Sequence, residues 1–353
     1  MEFSLFFFAD DSTSEAVAAG SRYRLLLEAA RFADSHGFSA VWTPERHFDP
    51  FGGLYPNPAV TGAAIAAVTS RVGIRAGSVI GPLHDPLRIA EEWSVVDNLS
   101  GGRAAVSFGS GWHPHDFVFD PARYADRRNV VLSTMETVRT LWRGEPVPRM
   151  NGRGEEILTR VYPPPVQRAL PVWLTSAGTP ETCRAAGAAG AGLLTHLVKQ
   201  GVDVLAKNIV EYRSRFRPSE GGIAAPGQVT LMMHAYVGAD DSVLEEAREP
   251  LRRYVANSLG LFGSAQTRGP GTGRPITPQM RERMIDVSVE RYFRTVGLFG
   301  SVDRAVETVG RLRGSGVDEI ACLIDFGLPA DKVLEGLEHL DTVRRRINTT
   351  GAH

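Results

Sequence analysis

The chain has 353 residues, with 39 Lys and Arg against 40 Asp and Glu, a formal net charge of −1, 43% hydrophobic and 22% charged residues. That balance leaves no basic excess for nucleic acid or an anionic membrane, and no run of about 18 apolar residues exists to span a bilayer. The two cysteines, Cys183 and Cys322, are too few for a disulfide framework and fit a reducing cytoplasm.

The N-terminal stretch MEFSLFFFADDS has the hydrophobicity of a secretory leader. It lacks a basic start, and Asp10 and Asp11 stand where a small-residue cleavage site belongs, so it reads as a buried first strand over Phe3–Ala9. Helical spacing follows over Arg22–His36, with Leu25, Leu26, Ala29, Ala30 and Ala33 on one face and Gly37 as the stop. Strands are then expected at Ala40–Thr43, Val72–Ile80 and Ala104–Phe108, alternating with helices at Pro58–Thr69, Leu87–Leu99 and Arg127–Trp142. A Pro- and Gly-rich stretch, 145–170, is expected to wrap the surface irregularly. The alternation resumes with strands Val172–Thr175, Gly192–Leu197 and Val229–Val237 and helices Glu181–Ala189, Asp203–Arg215 and Ser242–Leu259. The loop 263–278, GSAQTRGPGTGRPITP, is a candidate mobile lid, with an ordinary surface loop as its alternative. Helix Val302–Arg313, strand Glu319–Phe326 and helix Asp331–Arg345 complete the chain.

Eight strand–helix units predict a single-domain (β/α)8 TIM barrel in the α/β class, with insertions at its C-terminal face. A doubly wound open sheet would usually carry a glycine-rich turn after its first strand; Ala9-Asp10-Asp11-Ser12 is not one.

In such a barrel the chemistry sits at the C-terminal strand ends. The fifth turn, Ser176-Ala177-Gly178-Thr179-Pro180, reads as hydroxyls and free N–H groups at a capped helix N-terminus, suited to a phosphate, or as an ordinary capped helix. Its neighbour in the barrel, Gly109-Ser110-Gly111, lets a ligand approach the backbone closely. Other strand ends present Arg46, His47, Trp112, His113, His115 and His196, and Met232, Met233 and His234 lie on the seventh strand, where alternation turns only some inward. No zinc spacing accompanies the histidines, and no GxSxG elbow suggests a serine hydrolase.

The ordered set VWTPERHF, NPAVTGAAIAAVTSRVGIRAGSVI, PLHDPLRIAEEW, GSGWHPHDF and GSVDRAVETVGRL resembles the bacterial-luciferase-like family of flavin-dependent monooxygenases over nearly the whole chain. The wording around PERHF, DPLRIAEEW and GSGWHP is similar to a subgroup associated with natural-product biosynthesis. The resemblance implies reduced FMN from a separate flavin reductase, O2 as co-substrate, a small-molecule or carrier-protein-bound substrate, and a homodimer. It places the FMN phosphate at Ser110, Ser176 and Thr179, a non-proline cis peptide at Gly77-Ser78 beneath the flavin, and Trp112 near the ring, with Gly109, Gly111 and Gly178 as further cofactor-binding positions in the two turns. His47, Arg46 and His196 are the implied catalytic candidates. Either histidine could move a proton, since an ordinary imidazole titrates near neutrality. Arg46 would meet an anionic flavin or an acidic substrate; its structural alternative is an ion pair with Glu45 or Asp49. Trp112, Phe108, Leu197 and Met232 are expected to wall out water. Arg46 stands where luciferase proper has a catalytic histidine, so light emission is not expected. Ser110 stands where luciferase has a phosphate-binding arginine, which leaves room for another cation or for looser holding. The resemblance also admits an F420-dependent hydride-transfer enzyme or a non-catalytic scaffold subunit.

Overall fold

The computed structural model describes residues 1–9, 22–219, 221–266 and 277–349, and side chains at 262–266 lie outside that description. In chain order the elements are β1 (Glu2–Phe6), α1 (Arg24–His36), β2 (Ala40–Thr43), α2 (Pro58–Ala66), β3 (Gly73–Ile80), α3 (Pro86–Ser100), β4 (Ala104–Gly109) and α4 (Arg127–Trp142). Then come β5 (Val147–Met150), β6 (Glu156–Thr159), β7 (Val172–Ser176), α5 (Pro180–Ala188), β8 (Gly192–His196), α6 (Val202–Arg215) and β9 (Val229–Gly238). The chain ends with α7 (Val243–Gln266), α8 (Pro278–Arg291), β10 (Leu298–Ser301), α9 (Val302–Gly314), β11 (Glu319–Leu323) and α10 (Ala330–Thr349).

Eight strands pair in parallel in the order β1, β2, β3, β4, β7, β8, β9, β11, and β11 pairs back to β1, closing the expected barrel. Helix punctuation follows the sequence. Asn57 accepts from the N–H groups of Ala59 and Val60 ahead of Pro58, Asp85 caps Leu87 ahead of Pro86, and Gly37, at φ 76°, ends α1. Among the described residues no helix is long and apolar enough to cross a membrane.

Three features depart from expectation. The 145–170 segment is not wholly irregular: β5 and β6 form an antiparallel hairpin, turned by Asn151 Oδ1, which accepts from the N–H groups of Arg153 and Glu155 at 2.8 and 3.0 Å. α7 continues past Leu259 to Gln266, and α8 and β10 were not expected at all. β10 adds to the upper half of β9, outside the ring. The lid expected at 263–278 falls largely on 267–276, outside the described residues.

Alternation along each strand sorts side chains into two cores. Phe3, Leu5, Ile74, Val106, Leu193, Leu231 and Met233 pack outward against the helices, while Phe6, Trp42, Ala105, Trp173, Leu194 and Ala321 belong to the inner core. The barrel floor is charged. Glu319, fully buried, bonds Arg75 Nη1 at 2.8 Å and accepts from Thr230 Oγ1 and Gln228 Nε2 at 3.1 Å each. The Arg75 guanidinium lies 4.9 and 4.7 Å from the Trp42 and Trp173 ring centres. Burial alone would raise the pKa of Glu319, but Arg75 and these hydrogen bonds outweigh it and hold the carboxyl below its ordinary value. Above this floor Gly77 is required by contact: a Cβ there would lie 2.6 Å from the Phe6 ring.

Arg75→Met strands the Glu319 carboxylate and should cost about 3–5 kcal/mol in urea unfolding, with Arg75→Met/Glu319→Gln recovering most of it because no lone buried charge remains. A single-variant loss below about 1 kcal/mol, the range of surface pairs, would show that the floor pair does not stabilise the barrel.

Candidate active site

Above the filled floor, at the C-terminal strand ends, lies a cavity of about 310 Å3. Gly77, Ser78, Gly109, Ser110, Gly111, Trp112, Arg46 and His196 all line it, as expected. The Gly77-Ser78 peptide is cis. Beneath it Thr175 Oγ1 contacts the hydroxyls of Ser78 and, at 2.7 Å, Ser107. Gly111 has φ 71° and no room for a side chain, since a Cβ would meet Phe117 at 2.8 Å.

The fifth turn differs from the sequence reading. β7 runs one residue further than expected, and alternation turns Thr175 inward and Ser176 outward. Ser176 is sealed under α5, beside Cys183 at 3.6 Å, and accepts from the Gly178 N–H. Thr179 occupies the N-cap position, but its side chain makes no cap bond and contacts Thr182 Oγ1 at 2.7 Å instead. Neither Ser176, Gly178 nor Thr179 lines the cavity; Thr175 and Ala177 do. Of the expected phosphate residues Ser110, Ser176 and Thr179, Ser110 lines the cavity. Gly178, at φ 99°, is packed against Gln200, which a Cβ would approach to 2.8 Å. The same alternation removes Phe108 and Leu197 from the expected wall, placing both in the outer core, and leaves Trp112 and Met232 in it.

Lys199 was missed. It follows β8, lines the cavity beside His196, and is one of only three lysines in the chain, the one signal that could have singled it out. Its loop is held by α8: Arg291 donates to the carbonyls of Leu197 and Val198 at 2.7 and 2.8 Å.

After β2, Glu45 ties three segments together. Its Oε1 lies 2.7 Å from His47 Nε2 and 2.6 Å from His84 Nε2, and its Oε2 accepts from the Ile80 N–H at 2.7 Å. Burial would raise this carboxyl, but the three bonds outweigh it and hold it below its ordinary value. Glu45, His47 and His84 bring metal-ligating atoms together; their separations are those of hydrogen bonds. His47 stands behind Glu45 and does not line the cavity.

Arg46 pairs with neither Glu45 nor Asp49. Its Nη1 bonds both oxygens of Asp116 at 2.6 and 2.5 Å, a partner brought by the turn after β4. Burial lifts Asp116 above its ordinary value despite Arg46. Arg46 Nε and Nη2, the two parallel donors on the other edge of the guanidinium, are buried without a hydrogen-bond partner among the described residues. Trp112 stacks near the cation at 5.6 Å.

Two imidazoles share the opposite wall. His196 Nδ1 accepts from the Val198 N–H at 3.2 Å, which puts its proton on Nε2. Burial pushes His196 down to about 4 and His234 to about 3, so at pH 7 both are neutral and His196 does not titrate near neutrality as its residue type suggested. On β9, Met232 and His234 face the cavity and Met233 faces out.

Asp325, just beyond β11, is pushed up to about 7 by burial, against bonds from the Phe8 N–H at 2.7 Å and the Tyr55 hydroxyl at 3.0 Å. An unfolded aspartate ionises near 4, so between about pH 4 and 7 the folded chain keeps a proton that the unfolded chain releases. This contribution to stability is full below that window and is lost as pH rises through it. Asp325→Asn should therefore gain on the wild type by up to about 4 kcal/mol between pH 4 and 7.5, read by urea unfolding at each pH. A pH-independent offset would show that Asp325 ionises normally.

Comparison with known proteins adds several matches to this geometry. A family model described as luciferase-like monooxygenase matches residues 1–319. The oxygenase component of a flavin-dependent trigonelline monooxygenase from Acinetobacter baylyi is 22% identical over 348 residues, covering 96% of this chain and 93% of that protein. Among solved structures, monooxygenase RslO1 from Streptomyces bottropensis superposes with a TM-score of 0.78 at 24% identity, over 98% of this chain and 99% of that one. An F420-dependent secondary alcohol dehydrogenase has the same fold, with a TM-score of 0.71 at 16% identity and 98% of each chain covered. The chain spans 60% of the length of the uncharacterized mycobacterial relatives it matches.

Proposed function

The chain belongs to the luciferase-like monooxygenase family, and from that premise we propose that it is the oxygenase of a two-component system, using O2 and reduced FMN from a separate flavin reductase to oxidise a natural-product pathway intermediate, either free or bound to a carrier protein. The observation that carries this reading is the unpaired Nε–Nη2 edge of Arg46, a buried cationic fork beside the cis Gly77-Ser78 peptide, in a cavity whose other walls are mostly apolar. Unpaired buried donors of this kind call for an anionic partner, and a reduced flavin is one. Bound FMN would supply the oxygen-activating chemistry.

The chain's own groups divide the remaining work. Asp116 orients Arg46 through Nη1 and leaves the forked edge to the ligand. His196, neutral with its proton on Nε2, is a hydrogen-bond donor to the reacting group. His47 acts through Glu45, positioning the turn that carries Arg46. Phe6, Phe8, Phe51 and Met232 exclude water. The FMN phosphate falls to Ser110, the Gly109–Gly111 backbone and Lys199. Lys199 is the substitute cation that Ser110, in place of an arginine, calls for. Exposed Val60 and Leu99, on α2 and α3, suit a homodimer contact.

Anaerobic titration of the purified protein should give saturable binding of reduced FMN. Lys199→Ala should weaken it about tenfold and Arg46→Lys, which keeps the charge toward Asp116 but loses the fork, by a similar factor. Saturable binding of F420 with none of FMN would replace the oxygenase reading with hydride transfer, the chemistry named for one structural neighbour. Binding of neither would leave a scaffold subunit.

A further inference from the structure

The wall opposite Arg46 contains a polar group that flavin binding, as assigned above, does not use. His234 is 4% exposed, lines the cavity, and its Nε2 has no hydrogen-bond partner. It is not a packing accident of a loop: it sits on β9 in strict alternation with Met232, both facing inward. Aromatic edges enclose the ring, Tyr254 at 4.9 Å and Tyr292 at 4.6 Å between ring centres, both near perpendicular. Tyr292 opens a single π-helical turn, Tyr292–Val296, at the end of α8; such turns concentrate at functional sites.

These observations fix what the subsite can take. A buried imidazole without a partner is costly unless a ligand completes it. The ring is neutral around pH 7, since burial holds it near 3, so its open Nε2 is a donor or an acceptor according to the tautomer, and carries no charge. A hydroxyl can meet that nitrogen in either tautomer; a carboxylate can meet it in only one. The Met232 thioether and the two tyrosine edges favour an aromatic ring over an alkyl chain.

We infer that His234 binds the substrate, sharing one hydrogen bond through Nε2 with a neutral hydroxyl on an aromatic ring that rests against Met232, Tyr254 and Tyr292. This rests on the reading of the cavity as the oxygenation site and names the substrate class that site selects.

Equilibrium dialysis of the flavin-free protein with 2-naphthol and naphthalene tests it. The wild type should bind 2-naphthol about tenfold more tightly than naphthalene. His234→Phe should lose that preference while binding naphthalene unchanged, and His234→Gln should restore part of it. Equal affinity of the wild type for the two probes overturns the inference, and that measurement requires no variant. It is also overturned if His234→Phe weakens both probes alike, which would mark His234 as packing. FMN titration of the same samples separates the two claims. FMN binding without the naphthol preference leaves the proposed function standing alone, whereas a His234-dependent preference without FMN binding leaves the aromatic subsite and removes the oxygenase.

Discussion

A charge buried at the centre of the barrel governs the rest of the molecule. Arg75 and Glu319 meet at 2.8 Å in the floor, with the guanidinium between two indoles. Removing two ions from water is expensive, and their attraction offsets that cost only if every remaining polar atom is met. Here Thr230 and Gln228 complete Glu319, and the groups come from strands on different sides of the ring. The pair is therefore satisfied only when the barrel is closed in one register. It also fills the interior beneath the cavity at the C-terminal strand ends.

At that mouth the polar groups fall into two kinds. Glu45 and Asp116 are completed by the protein: one draws together His47, His84 and the end of β3, the other anchors Arg46. The free edge of Arg46 and the Nε2 of His234 are not completed. In a mostly apolar cavity such groups raise the energy of the empty site and reward a ligand that meets both.

The eight barrel strands were legible because parallel strands buried on both faces leave short apolar runs between helices with clear caps. α8 and β10 were not. α8 follows a polar, glycine-rich stretch and buries only Ile285 and Val289, while β10 has four residues and joins the upper half of β9. The site was legible to the level of the strand end and no finer. Thr175 and Ser176 show why: both are small hydroxyls at the same turn, and a single residue of register decides which meets the cavity and which meets α5. The partner of Arg46 was misjudged for a related reason, since proximity in sequence favoured Glu45 and Asp49, whereas Asp116 is 70 residues away.

By itself the sequence determined the fold class and the glycine corners, because these depend on periodicity, capping and backbone freedom, which are local properties of the chain; the cis-peptide position came from the family resemblance. Which hydroxyl faces the cavity, which cation lines it and which polar atoms remain without partners among the described residues were decided only by tertiary structure. Those are relations between strands closed into a ring, and burial, which sets both the neutrality of His196 and His234 and the demand of Arg46 for an anion, exists only once the ring has closed.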